Sequence, residues 1–388
     1  MKSSPDIYYS TPPVDILIVD PIGLQQLSTC VPHGTQTQLL SLRGKTRYPL
    51  NFSFFKAVLK NAWVMLRHKM LNRELLILLA FIDYYQPKLI LSLADNNKLL
   101  LKYASLSWSR PVYLVQNAIR RDYRAPFNFS RLPTYLVLGV VEEQRIEQRQ
   151  ILFDNVLPIG SIALDCALRE FQASHHSPAE FGFISSYRPP NQPQDYDATL
   201  DTAIFNAHES LFLLTYRYAL EHMIKLRVII KARGSRAEIE NEINYFETLV
   251  GSARHLEFCS TPRGSLQATE WGNYFAMLSS DLLVCGHSTL GFEAVSAGKK
   301  VLFGSSARLG FLKQLGIEDY FDHLPEQLKL TDESLDDFRS KISILRAIPN
   351  QEYLALTHNA PIRRQSDTAS EKSSGIVRHL LSETLARA

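Results

Sequence analysis

A chain of 388 residues exceeds what one hydrophobic core usually supports, about 250–300 residues, so two domains are expected. With 45% hydrophobic and 21% charged residues it carries enough apolar side chain to offset ordering entropy, which excludes a disordered chain. The 42 basic against 39 acidic residues leave a net charge of +3, too balanced for a protein whose main partner is a nucleic-acid backbone.

The stretch Met1 to Pro13 is polar and lacks the apolar region of a secretory signal. The longest apolar run, Leu75 to Ile82, is eight residues, far short of the roughly 20 that span a bilayer. Cys30, Cys166, Cys259 and Cys285 are far apart and show no CxxC spacing, so they read as reduced thiols of a cytoplasmic protein.

In chain order, Val14 to Asp20 is a short apolar run closed by Asp-Pro, the pattern of a buried parallel strand. Phe54 to Met70 mixes apolar residues with Lys56, Lys60, Arg67, His68 and Lys69. It reads as an amphipathic basic helix, either an ordinary domain helix with a solvated edge or one lying on the inner face of a membrane. A helix from Glu74 to Tyr85 is stopped by Pro87 and followed by strand Lys88–Ala94, helix Asn97–Ser105 and strand Pro111–Gln116. Strands at Thr134–Gly139 and Val156–Gly160 enclose a polar helix at Glu142–Gln150. Such alternation predicts a parallel sheet with helices on both faces.

The composition breaks at Ser174-His-His-Ser-Pro178, which places a boundary near 170–180 and gives domains 1–172 and 173–388. Beyond it come strand Phe181–Ser185, a long helix Ala198–Lys225, strand Arg227–Lys231, helix Glu238–Val250 and strands Leu256–Ser260 and Asp281–Cys285. A helix starting near Ser288 and strand Lys300–Phe303 follow, and a C-terminal helix is expected from Gly375.

Open α/β sheets bind ligands beyond the C-terminal ends of their strands. In the second half those ends carry Ser185-Ser186-Tyr187-Arg188, Lys231-Ala232-Arg233-Gly234 and Gly286-His287-Ser288-Thr289. Backbone N–H groups at a helix start, joined by Lys and Arg, suit a diphosphate or phosphodiester. Gly286 allows a sharp turn, and Ser288 or Thr289 is placed to cap the next helix. Glu293 falls in that helix's first turns, where a carboxylate accepts from ribose hydroxyls or merely complements the helix dipole. A capping box does not account for it, because Leu290 stands three residues before. Lys231 and Arg233 are either phosphate ligands or solvated strand-end charges, and His287 is either a ligand group or a structural contact.

In the first half, Asp95 follows a strand and precedes Asn96 and Asn97. It is the candidate base for an acceptor hydroxyl, with Asp20 in reserve, although Asp-Asn-Asn is also a turn and N-cap sequence. Arg120, Arg121 and Arg124 form a basic loop, open to an anionic acceptor or to solvent.

The segment Gly286-His-Ser-Thr-Leu-Gly-Phe-Glu-Ala-Val-Ser-Ala-Gly-Lys-Lys-Val301 resembles the donor-site region of GT-B glycosyltransferases, especially bacterial surface-carbohydrate transferases, a group that includes Kdo transferases. Asp95-Asn96-Asn97 and Val156 to Ser161 look like the same group. The resemblance implies two Rossmann-like domains facing a cleft, acceptor on the N-terminal one and nucleotide sugar on the C-terminal one. It implies a transferase building a surface polysaccharide or lipid-linked glycan, with no metal or other cofactor and no nucleic acid as partner. The donor would be held by Ser185, Arg188, Lys231, Arg233, His287, Ser288, Thr289 and Glu293, the acceptor by Asn96, Asn97 and Arg120, with Asp95 catalytic. A CMP-linked acidic sugar, a UDP-sugar and a GDP-sugar all remain open as donors. The competing readings are a nucleotide-sugar 2-epimerase of the same fold, a polyol-phosphate transferase using CDP-glycerol, and a non-catalytic assembly partner.

Overall fold

The computed structural model describes residues 13–41, 49, 51–69, 72–106, 109–120, 127–129, 131–173, 176–187, 198–230, 236–252, 254–260, 271–304, 320–330, 332, 334–364 and 371–388. Chain contacts group them into two compact units, 1–162 together with 366–388, and 163–365.

The first unit contains β1 (Ile16–Val19), α1 (Leu24–Ser28), β2 (Thr37–Leu40), α2 (Phe52–Arg67), α3 (Arg73–Tyr85), β3 (Leu89–Ser92), α4 (Lys98–Ala104), β4 (Val112–Val115), β5 (Leu132–Val137), α5 (Val140–Gln148) and β6 (Phe153–Pro158). Its described strands form one parallel sheet in the order β2-β1-β3-β4-β5-β6. β1 and β3 are buried along their whole length, which is why they read as unbroken apolar runs. β2 was not expected from the sequence: Thr-Gln-Leu-Leu presents alternating half-buried and buried residues, as suits a strand at the sheet's edge.

Helix starts follow local chemistry. The side chains of Asn51, Asn72 and Asn97 accept from backbone N–H groups of Phe54, Leu75 and Leu99 respectively, capping α2, α3 and α4. Asp15, just before β1, accepts from Gln36 N–H at 3.0 Å and pairs with Lys88 Nζ at 3.0 Å, so one carboxylate ties the entries of β1, β2 and β3. Burial would raise this carboxyl, but the Gln36 N–H and the Lys88 charge outweigh it and hold it below the usual range. An acid with a depressed folded value stabilises above its unfolded value, near 4, and loses that contribution as pH falls through the folded one. Asp15→Asn should therefore cost about 1 kcal/mol or less at neutral pH, and the difference should disappear in acid. Urea denaturation at several pH values checks this, and a difference undiminished in acid would refute it.

The second unit contains α6 (Ile162–Gln172), β7 (Ala179–Ile184), α7 (Ala198–Glu221), β8 (Leu226–Ile229), α8 (Arg236–Val250), β9 (Leu256–Cys259), α9 (Gly272–Leu278), β10 (Ser280–Cys285), α10 (Thr289–Ser296), β11 (Lys300–Phe303), α11 (Leu335–Ala347) and α12 (Asn350–Leu356). Its described strands form a parallel sheet in the order β11-β10-β7-β8-β9. The core is aromatic: Phe183, Phe212 and Phe246 pack ring to ring on one face, and Phe292, Phe303 and Phe321 cluster beside α10.

The last helix, α13 (Ser373–Arg387), groups with the first unit, although the sequence reading ran the second domain through to residue 388. Polar anchors hold it there. The buried Ser373 hydroxyl donates to the Ile159 carbonyl at 2.9 Å, Arg378 donates to the Thr29 carbonyl, and the hydroxyls of Tyr113 and Thr384 meet at 2.6 Å. The break near 174–178 falls after α6, but α6 itself groups with the second unit apart from its first residue. No described helix is long and apolar enough to cross a membrane.

Candidate functional site

In an open parallel sheet, the crevice for ligands lies at the strand C-termini where successive connections leave in opposite directions. The strand orders place that point between β1 and β3 in the first unit, and between β7 and β10 in the second.

In the second unit the point is flanked by Ser185-Ser186-Tyr187 after β7 and Gly286-His287-Ser288 after β10. The loop after β7 is fastened from beneath. Ser185 Oγ donates to Glu242 of α8 at 2.5 Å and accepts from Tyr187 N–H at 3.1 Å. Ser186 N–H donates to His208 Nε2 on α7 at 3.0 Å, which fixes that nitrogen as an unprotonated acceptor. The Ser185 hydroxyl thus shapes the loop. The Tyr187 ring stacks on Tyr245 at 4.7 Å, and Tyr245 donates to Glu209 at 2.9 Å.

Beyond β10, Ser288 takes the extended backbone of an N-cap, and its carbonyl accepts from Gly291 and Phe292 N–H. Contrary to the sequence expectation, the Ser288 side chain makes no cap hydrogen bond. The first N–H groups of α10 therefore lie at the switch point without a cap from that hydroxyl. The His287 ring packs among Phe292, Tyr320 and Phe321, with centroids 5.8–6.3 Å away. Glu293 is buried, and both of its oxygens accept from Tyr274 of α9, at 3.0 and 3.1 Å. Gly291 lets α10 lie against the sheet: a Cβ there would come within 2.2 Å of Cys285 Sγ. Burial pushes the Cys285 thiol far above its ordinary value, which makes it inert packing.

In the first unit, Asp20 after β1 is buried with φ of 77° and accepts from Ile22 N–H at 3.2 Å. Ser92, the last residue of β3, donates to the Val19 carbonyl at 2.7 Å and accepts from Ala94 N–H, lacing the two strand ends together. Asp95 is fully buried. Arg120 binds it through Nε to Oδ2 at 3.1 Å and through its terminal nitrogen to Oδ1, and Tyr135 Oη donates to Oδ2 at 2.6 Å. Burial pushes the Asp95 carboxyl up, against the pull of Arg120 and the Tyr135 hydroxyl. Burial would likewise lower the Arg120 guanidinium, but the Asp95 charge reverses this and raises it. The two guanidinium N–H groups on its two oxygens favour the carboxylate, so the pair is ionic. In this arrangement both Asp95 oxygens are engaged by protein donors and neither is open to solvent. Asn97 is committed to capping α4, accepting from Leu99 and Leu100 N–H, while Asn96 is exposed.

The structure thus brings Ser185, His287, Ser288, Thr289 and Glu293 to one switch point, and Asp95 and Arg120 into contact near the other. Arg188, Lys231, Arg233, Arg121 and Arg124 lie outside the described residues. Tyr135, His208, Glu242 and Tyr274 were not anticipated. Each sits 19 to 57 residues from its partner, with no local motif to announce the pairing. Among the described residues no cluster of His, Cys, Asp or Glu is arranged to hold a metal ion.

No protein-family model matches the chain, and no curated protein matches its sequence. Solved structures do match. UDP-GlcNAc 2-epimerase from Neisseria meningitidis bound to UDP-GlcNAc is 11% identical with a TM-score of 0.54, over 96% of this chain and 99% of that one. UDP-GlcNAc 2-epimerase from Methanocaldococcus jannaschii in complex with UDP-GlcNAc and UDP is 11% identical with a TM-score of 0.51, over 95% and 99%. The wall teichoic acid polymerase TagF is 10% identical with a TM-score of 0.50, over 96% and 89%. The chain therefore has the two-domain GT-B-like α/β fold. These likenesses do not single out the Kdo-transferase-like group.

Proposed function

We propose that the chain is an enzyme acting on a nucleotide sugar held by its second unit, and that it transfers the sugar to a glycan or lipid-linked acceptor. The observation that carries the reading is the convergence, at the β7/β10 switch point, of the α10 N-terminus, His287 and the buried Glu293. In the transfer, an acceptor oxygen bonds to the anomeric carbon, the bond from that carbon to the phosphate oxygen breaks, and the acceptor proton passes to a base. Negative charge grows on the departing nucleotide. The α10 N–H groups are preorganised to stabilise it, with Lys231 and Arg233, which follow β8 in sequence, as the cations assigned to the phosphates. Glu293, held by Tyr274, is the acceptor for ribose hydroxyls. On the acceptor side, Asp95 orients Arg120 toward an anionic group instead of serving as the base.

A second reading, an epimerase that inverts one carbon of the donor sugar, is favoured by the near-complete coverage of the two epimerase chains. The polyol-phosphate transferase reading differs in leaving phosphate in the product.

Calorimetry and thermal shift against CMP, CDP, UDP and GDP test the shared premise. One nucleotide should raise the melting temperature, by stabilising the native state about 2.7 kcal/mol at a hundredfold excess over Kd. Glu293→Ala should weaken that nucleotide about tenfold to a hundredfold, the worth of a hydrogen bond to a charged group, whereas Tyr274→Phe, which keeps the carboxylate, should weaken it less. Equal nucleotide affinity in Glu293→Ala removes Glu293 from the site. Turnover of a nucleotide sugar without acceptor selects the epimerase, and absence of any nucleotide binding leaves only the non-catalytic partner.

A further inference from the structure

Of the thirteen large hydrophobic side chains exposed among the described residues, five lie on α2: Phe52, Phe55, Leu59, Trp63 and Leu66. Each is more than half exposed, from 56% to 81%. Their spacing of three, four, four and three residues puts them within an arc of roughly 80° at 100° per residue, a stripe about 21 Å long. The opposite face of α2 is already satisfied. Phe54, Ala57, Asn61 and Met65 are buried, Phe54 packs on Phe81 and Tyr84, and Asn61 donates to Asp83 at 2.8 Å. α2 is thus apolar on two faces, only one of which the fold uses. A solvated helix face carries isolated apolar residues, not a continuous apolar row.

The charges that α2 itself carries beside the stripe are of one sign. Lys56, Lys60 and Arg67 follow one edge, His68 and Lys69 close the C-terminal end, and α2 contains no acidic residue. Arg67 lies over the Trp63 ring at 4.9 Å, which keeps a cation at the rim of the apolar row, and Lys60 is steadied by Asp83 at 2.9 Å. This distribution decides between occupants. A symmetric partner α2 would bring two rows of cations together with Asp83 offsetting only Lys60, a repulsive arrangement, whereas an anionic lipid surface accepts both the apolar row and its basic border.

We infer that α2 is an interfacial anchor: its Phe52–Leu66 stripe enters the headgroup region of an anionic phospholipid bilayer while Lys56, Lys60 and Arg67 engage the lipid phosphates. The anchor does not depend on the transferase reading, and its assay needs neither nucleotide nor acceptor. If both hold, the first unit is brought to the surface where a lipid-linked acceptor resides.

The test is flotation of the full chain with vesicles of phosphatidylcholine alone and of phosphatidylcholine mixed with phosphatidylglycerol. Binding should be strong only on the anionic vesicles and should fall with salt. Phe55→Ser with Trp63→Ser should weaken it about a hundredfold, since each loses a buried aromatic worth about tenfold or more. Lys56→Gln with Lys60→Gln should weaken it about 25-fold, about fivefold per cation. Both pairs are exposed, so far-ultraviolet circular dichroism and the thermal transition should not change. The inference is overturned by absent vesicle binding, by equal binding to neutral vesicles, or by retained binding in the Ser pair. It is equally overturned if sedimentation velocity shows a dimer that the Ser pair dissociates while no vesicle binding occurs.

Discussion

Asp95→Asn is expected to destabilise the first unit by about 3–5 kcal/mol, among the largest effects available to a single polar substitution in the chain. The carboxylate is fully buried, and it neutralises Arg120, whose side chain is only 16% exposed. An Asn amide would turn a donor toward the guanidinium and leave its charge uncompensated, and the Tyr135 hydroxyl would lose its charged acceptor. The loss should appear as a lower urea midpoint and as faster amide exchange in β3, β4 and β5, which carry or adjoin the three residues. Replacing both partners, Asp95→Leu with Arg120→Met, should recover most of the stability, because a buried pair is dear to break and cheap to replace. Nucleotide affinity in Asp95→Asn should be unchanged, since the donor site proposed above draws its residues from the other unit. A destabilisation within the range of surface substitutions, about 0.5 kcal/mol, would mean that the pair does not form. Arg120→Lys separates the roles of the two residues. It retains the Asp95 carboxylate but loses the bidentate fork, so a raised acceptor KM with kcat preserved supports Arg120 as the acceptor ligand.

The second large effect is expected from Gly291→Ala. The new Cβ would stand 2.2 Å from Cys285 Sγ and 3.2 Å from the Phe303 ring, and Cys285, on β10, is held by β7 on one side and β11 on the other. α10 must move off the sheet, at a cost of about 1–3 kcal/mol for an overpacked core. The helix carries Glu293 and presents its N-terminus at the switch point, so nucleotide affinity should fall more than stability does. Cys285→Ala in the same chain removes the obstructing sulfur and should restore both. A neutral Gly291→Ala would show that α10 and β10 are further apart than this geometry has them.

The strands were legible where burial on both faces leaves no room for polar residues. Ile16–Val19, Leu89–Ser92 and Leu282–Cys285 could be read from apolar runs, and the helix start at Asn97 from its capping chemistry. β2 escaped because an edge strand needs only alternate apolar positions, which Thr-Gln-Leu-Leu barely signals. The short α9 and the helices α11 and α12 were not read either, although α9 supplies the Tyr274 that grips Glu293. For α2 the sequence left two readings open, because composition alone does not say which apolar face the core consumes.

The same division holds at the candidate site. The start of α10 just beyond β10 and the position of Glu293 early in that helix follow from local residue chemistry, so the amino-acid sequence by itself determined which segment stands at that strand end, although Gly286 has no positive φ and a Cβ there would meet nothing. It also determined the alternation of strand and helix, because backbone geometry and hydrophobic period act over a few residues. Tertiary structure alone decided which side chains are occupied. It set Asp95 against Arg120 and Tyr135, Ser185 against Glu242, and Glu293 against Tyr274, and it returned the C-terminal helix to the first unit. Those outcomes depend on burial and on hydrogen-bond partners drawn from distant parts of the chain. A buried polar group must be satisfied by whatever the fold brings within reach, and no local pattern names that partner in advance.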